Sequence, residues 1–245
     1  MKSVASFFLL TLLITSAVSA KAEEETVRLC SSGAWAPFAQ IGESFSEHGI
    51  YTQKTIRVFE QLPERLELHK IPWKRCLKMI EAGEMDGSYA ASFNEERASF
   101  AHFTTFPLGR VGHVPVIRKG TEHGWDDSKD LGALPQPIGS PLGYWITGEI
   151  SKQDKARIVS KSYNDEQNLR LLLEGRLGSI LIPRETILKH QKLLGIEQDL
   201  EILSPAYSEE NNVYIIISKK YRNGGKEAQE LVGRIDEAIH IMASQ

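Results

Sequence analysis

Two periods of hydrophobic patterning alternate along the chain. Thr26–Cys30 (T-V-R-L-C) reads as a strand, and Tyr51–Leu62 carries apolar or aromatic residues at 51, 58, 59 and 62, the stripe of a helix. Arg65–His69 predicts a second strand. Pro72 then opens a helix with Trp73, Cys76, Leu77 and Ile80 at i, i+3, i+4 and i+7, proline standing where a helix start tolerates it. Gly83 ends that helix and Met85–Tyr89 predicts a third strand. Strands separated by helices are the rhythm of a parallel sheet covered on its faces.

Beyond Pro107 the pattern changes. Arg110–Arg118 is extended and β-rich, and Gly120–Pro137 is loop apart from a turn around Trp125–Leu131. A second α/β set follows: strands at Gln136–Gly139, Arg157–Ser160 and Ser179–Ile182, and helices at Gly143–Ser151, Asp165–Gly175 and Arg184–Leu194. Leu200–Leu203 is extended and Pro205–Asn212 is polar loop. Val213–Ser218 (V-Y-I-I-I-S) is apolar enough to be buried on both faces, and Gly225–Met242 aligns Leu231, Ile235, Ala238, Ile239 and Met242 as a closing helix. A strand and helix left over after two α/β sets predict a chain that crosses between two lobes twice, near Gly109–Gly112 and near Pro205–Asn211. The expected fold class is α/β, with lobe 1 formed by 23–110 and 210–245 and lobe 2 by 111–209. Each lobe would be a mostly parallel sheet flanked by helices. Ligands of open α/β sheets bind beyond the carboxyl ends of the strands, so facing lobes would place a site in the cleft between them.

The first twenty residues stand outside this pattern. Lys2, the apolar run Val4–Ile14 and the small residues of Ser16–Ala22 make a secretory signal peptide, cut after Ala20 or Ala22. That apolar run is shorter than the ~20 residues a membrane span needs, and no cysteine stands at the cut to take a lipid anchor. An exported, soluble protein is expected. The formal net charge of −3 becomes one unit more negative when Lys2 is removed, which argues against nucleic acid and anionic membrane surfaces as partners. Export also bears on the two cysteines, Cys30 and Cys76. An oxidising compartment favours a disulfide between them, worth ~4 kcal/mol on the loop-entropy estimate; the alternative is two buried thiols. Neither CxxC spacing nor a Cys/His cluster is present, so no metal is expected, and nothing calls for a cofactor.

The candidate chemistry is concentrated between Asp86 and Pro107 (D-G-S-Y-A-A-S-F-N-E-E-R-A-S-F-A-H-F-T-T-F-P). After the strand come the small residues Ala90, Ala91 and Ser92, which let a ligand approach the backbone. Asn94 is a good N-cap, with Glu95 and Glu96 in the first helical turn. Arg97 follows Ser92 by five residues, close enough for a hydroxyl and a guanidinium to converge on one carboxylate. The plainer alternative is an exposed helix arginine paired with Glu95 or Glu96.

The residues resemble a known family. Trp35-Ala36-Pro37-Phe38 after the first strand, Pro72-Trp73-Lys74-Arg75 at the second helix, Gly83-Glu84-Met85-Asp86-Gly87 leading to Ser92 and Arg97, and Phe103-Thr104 with Phe106-Pro107-Leu108 stand in the order of the bacterial extracellular solute-binding proteins of family 3, the polar-amino-acid group. Glu174-Gly175-Arg176 adds a weaker match, and the similarity spans Thr26–Met242. The resemblance implies a type II periplasmic binding protein fold and a monomer that passes a small molecule to an inner-membrane ABC permease or receptor. It also implies site roles. Arg97 would clamp a ligand carboxylate, with Ser92 and a carbonyl near Ala90 beside it. Trp35 and Trp73 would bracket the ligand in a flat aromatic slot. Gly143, Tyr144 and Trp145, in the loop Ser140-Pro141-Leu142-Gly143-Tyr144-Trp145, would bind from the second lobe through backbone N–H groups.

One departure stands out. The acidic residue that holds an α-ammonium in this family aligns at about Pro183, and Gly178 replaces the acidic residue of the preceding motif. A plain α-amino acid then lacks its counter-charge, unless Glu43 or Glu185 substitutes, and a carboxylate-bearing aromatic solute becomes competitive. Two other functions compete with solute binding. One is an enzyme on the same scaffold, similar to cyclohexadienyl dehydratase, for which His102 and His113 are the acid–base candidates, although structural roles suit both better. The other is a stand-alone sensor docking to a membrane receptor.

Overall fold

A computed structural model describes residues 25–144, 157–159 and 161–244. The signal-peptide reading of residues 1–20, Trp145 and most of the helix expected over 143–151 lie outside the described residues.

The described chain forms two α/β lobes. In the first, β1 (Thr26–Ser31) is followed by a small hairpin of β2 (Ala34–Trp35) and β3 (Ala39–Gln40), then α1 (Ile50–Phe59), β4 (Arg65–Lys70), α2 (Trp73–Ala82) and β5 (Gly87–Ser92). The short α3 (Glu95–Phe100) leads into β6 (Ala101–Phe103) and β7 (Gly109–Val111). The second lobe begins with β8 (His113–Arg118) and continues through β9 (Ile138–Gly139), β10 (Ile158–Val159), α4 (Asp165–Leu173), β11 (Ser179–Pro183), α5 (Arg184–Leu194) and β12 (Leu200–Ile202). β13 (Asn211–Ser218) returns to the first sheet and α6 (Lys226–Ala243) packs on it.

Sheet order is β4-β1-β5-β13-β6 in the first lobe, with β7 also on β13, and β10-β9-β11-β8-β12 in the second. In each sheet one strand runs against the rest, β13 in the first and β8 in the second. Both are the strands by which the chain enters a lobe from its neighbour. The reversal follows from arriving without a helical crossover, which a parallel strand requires.

The hydrophobic pattern explains the layers. Val58 and Phe59 of α1 and Leu231 and Ile235 of α6 cover one face of the first sheet, meeting Ile215 and Ile217 of β13. Ile216 points the other way, into a cluster with Cys76, Ile80 and Ala91 under α2. β13 is thus buried on both sides, as its unbroken apolar run predicts. Gly83 caps α2 in the left-handed conformation, φ +81°. Cys30 and Cys76 form a disulfide with Cα atoms 5.9 Å apart, tying β1 to α2. In the second lobe Leu169 and Leu172 of α4 pack with Ile180 and Ile182 of β11. Among the described residues no helix is long and apolar enough to cross a membrane.

Candidate functional site

The carboxyl ends of β1 and β5, the β7–β8 crossing and the loop after β9 meet at one place. Asn94 caps α3 by accepting from the Arg97 backbone N–H at 2.8 Å, which sets the helix start and aims the Arg97 side chain inward. The arginine is 4% exposed. Its Nη1 donates to Ser92 O at 2.6 Å and its Nη2 to Gly143 O at 2.8 Å, so the guanidinium spans from the first lobe to the second. Trp73 Nε1 donates to the same Gly143 oxygen at 2.9 Å, and the Arg97 guanidinium carbon lies 5.4 Å from the Trp73 ring centre. Among the described residues Arg97 makes no ion pair. Desolvation pulls its pKa down to about 10, with the exposed Glu96 pulling the other way, and it keeps its charge at neutral pH.

β5 carries a local distortion here. Its pairing with β13 shifts register between Tyr214 and Ile216, and Ala90 adopts φ +59°, a left-handed conformation that is unfavourable for alanine. The bulge turns the strand end into the cleft. It leaves Tyr89 buried, with its hydroxyl accepting from Ser31 Oγ at 2.9 Å and 3.2 Å from Thr52 Oγ1.

Around this crossing lies a cavity of about 50 Å³. Its walls are aromatic and small: Trp35, Trp73, Tyr89 and Tyr144 with Ala39, Ala90 and Val111; its polar groups are Arg97, His113 and the serines at 31, 32 and 92. The Trp35 and Tyr144 rings meet edge-on across the lobes at 6.2 Å. Tyr144 donates its hydroxyl proton to Asp165 Oδ2 at 3.1 Å. Asp165 is buried, and desolvation raises its pKa to about 7, opposed by the Tyr144 hydrogen bond. Burial alone lowers the His113 pKa to about 4, leaving a neutral imidazole. Among the described residues no group of three His, Cys, Asp or Glu side chains is placed to hold a metal ion.

No protein-family model matches the chain, and no curated protein matches it. Solved structures do match over nearly its whole length. A histidine kinase sensor domain with similarity to periplasmic binding proteins superposes with a TM-score of 0.75 at 15% identity, over 90% of this chain and 92% of that one. The chain has the type II periplasmic-binding-protein fold. Also similar are a mutant of arginine-bound ArgBP from T. maritima (TM-score 0.70, 18% identity, 89% of this chain and 95% of that) and ArtJ, an arginine-, lysine-, histidine-binding protein from Geobacillus stearothermophilus (0.71, 17%, 90% of each).

Within this periplasmic-binding-protein fold the residues singled out from the sequence converge. Arg97, Ser92, Ala90, Trp35, Trp73 and Tyr144 all line the cavity, and Gly143 closes it through its carbonyl. Gly143 thus presents an acceptor, where backbone N–H donors were expected. Trp73 lines the cavity and also packs on the cluster under α2. Arg97 is not the exposed helix residue of the plainer reading. Glu43 and Glu185 are exposed and do not line the cavity, and Pro183 ends β11 opposite His113. Ser31 and Tyr89 line it without having been singled out from the sequence, and His113, named there as an acid–base candidate, lines it too. Ser31 ends β1, a signal that a strand–loop boundary supplies; Tyr89 lies inside β5, where local pattern gives it no mark, and His113 is brought in by the crossing.

Proposed function

We propose that this protein is a periplasmic receptor that closes its two lobes around a small carboxylate-bearing solute. A buried guanidinium that makes no ion pair among the described residues carries this reading. Placing a cation in a low-dielectric cleft is costly unless an anion completes it, and Arg97 stands where both lobes meet. The carboxylate would displace Gly143 O from Nη2, with Ser92 and Ala90 beside it, Trp35 and Trp73 as walls, and Gly143, Tyr144 and Trp145 as the latch. Hinges near 109–112 and 205–211 would let the lobes formed by 23–110 with 210–245, and by 111–209, swing apart. A cavity of about 50 Å³ is far below the ~300 Å³ of ordinary ligand pockets, so entry requires opening. Structural neighbours that include an arginine-bound ArgBP and the substrate binding protein of an amino acid ABC transporter support binding over chemistry and transport as its purpose. The permease partner, the periplasmic location after signal cleavage and a monomeric state belong to the same proposal. A sensing role has support from the sensor-domain neighbour.

The test is a thermal-shift screen of the mature protein against amino acids, aromatic acids, polyamines and oligopeptides. A hit should raise Tm and contract the molecule in small-angle scattering, and should be recovered chemically unchanged after prolonged incubation. Arg97→Ala should weaken its affinity by roughly 10- to 100-fold, the value of hydrogen bonds to a charged group. Unchanged affinity in that variant, or no hit in the whole panel, overturns the proposal.

A further inference from the structure

The balance of donors and acceptors in the cavity narrows the ligand class. A free α-amino acid brings an ammonium as well as a carboxylate, and its site must supply acceptors, one of them anionic. Among the described lining residues the formal charge at neutral pH is the positive one on Arg97. Ser92 O and Gly143 O already accept from that guanidinium, and Gly143 O accepts from Trp73 as well. Ser31 Oγ accepts from the Gly33 N–H and donates to Tyr89. Tyr144 donates to Asp165, whose carboxyl does not reach the cavity surface. Glu96 and Glu81 lie on the far side of the Arg97–Gly143 contact, in an adjoining cavity of about 260 Å³ that Lys74 and Lys78 also line. The hydroxyls of Ser32 and Ser92 and the neutral imidazole of His113 complete the lining's polar side chains, and none of the three supplies a negative charge.

Donors are in surplus. Trp35 Nε1 is buried and has no hydrogen-bond partner among the described residues. An ammonium admitted here would meet the Arg97 charge across a few ångströms of low-dielectric space, a repulsion that a ligand made only of acceptors avoids. Four aromatic rings, Trp35, Trp73, Tyr89 and Tyr144, would face its body.

We infer that the cleft selects an aromatic carboxylate that lacks an α-ammonium group, with the carboxylate on Arg97 and the ring between the indoles. This inference rests on the receptor reading above and deepens it.

Matched pairs test it. Calorimetric titration of the mature protein would compare 3-phenylpropanoate with L-phenylalanine, 3-(4-hydroxyphenyl)propanoate with L-tyrosine, and indole-3-propanoate with L-tryptophan; phenethylamine is the cation control. In at least one pair the deaminated acid should bind tenfold or more tightly than its amino acid, and phenethylamine should not bind. Trp35→Phe should weaken that acid several-fold while keeping Tm within a few degrees. If no pair favours the deaminated acid but some amino acid binds with dependence on Arg97, the ligand-class inference fails and the receptor reading stands. If nothing in either panel binds, both fail together.

Discussion

Burial of individual ionisable groups gives this cleft its pH response. Asp165 opens α4 beside the Asn164 cap, 2% exposed, with Tyr144 on one carboxylate oxygen and no partner for the other among the described residues. Desolvation raises its pKa from 3.8 to about 7. Between about pH 4 and pH 7 the folded chain therefore keeps a proton that the unfolded chain has released. The group favours folding at low pH, and this contribution is lost as pH rises to 7. His113 acts in the opposite sense. Its pKa falls from 6.5 to about 4, so the unfolded chain binds the extra proton between these values and stability is gained as pH rises through them. The two partly cancel in the wild type, and comparison with Asp165→Asn separates them. The variant should gain Tm over the wild type as pH is raised from 4 to 7, by on the order of 10 °C, and hold that gap above pH 7. A gap independent of pH would show that the carboxyl titrates at its ordinary value.

Secondary-structure elements position the cavity walls by fastening them to one another. Trp73 begins α2 and Ser31 ends β1, and the Cys30–Cys76 disulfide joins those two elements within one turn of the tryptophan. The bridge closes a separation of 46 residues, which the chain-entropy estimate values at about 4 kcal/mol. Replacing both cysteines with alanine should lower Tm by roughly 8–16 °C. Affinity should change less than tenfold, because the wall residues keep their own contacts to the core. Differential scanning of the variant beside the reduced wild type checks this, and equal melting of variant and oxidised protein would show that the bridge constrains nothing. The bulge in β5 is a second fastening. Its left-handed Ala90 turns the strand end toward Arg97 at a cost that the β13 pairing on either side supports.

At the scale of the whole molecule, a handful of side-chain contacts among the described residues join the two lobes. Gly143 O receives both Arg97 and Trp73, the Trp35 and Tyr144 rings meet, and Lys189 Nζ reaches Gln40 Oε1 at 3.1 Å. Gly143 is the tightest of these points. Its φ is +80°, and a Cβ there would stand 3.3 Å from Trp73 Cδ1. Gly143→Ala adds both a left-handed alanine, costing about 1–2 kcal/mol, and a bulk that pushes against the opposite lobe. It should shift the population toward the open form, seen as a larger radius of gyration by small-angle scattering, and weaken ligand binding about 5- to 30-fold. A variant as closed and as tight as the wild type would remove Gly143 from the latch.

Much of this was legible in residue order because it depends on local interactions. The 3.6-residue stripe of α2, its proline start and glycine stop, the Asn94 cap and the doubly apolar β13 are each decided by side chains a few positions apart. So are the residues around Arg97, since Ser92, Asn94 and the arginine belong to one strand–turn–helix. Tertiary structure decided which distant groups share that arginine's space. His113 enters through a lobe crossing, Asp165 through the face of α4 turned to Tyr144, and the Gly143 carbonyl through the angle at which the lobes meet. None of these has a periodicity to betray it, because burial, and with it charge state and hydrogen-bond demand, is set by whatever segment packs opposite.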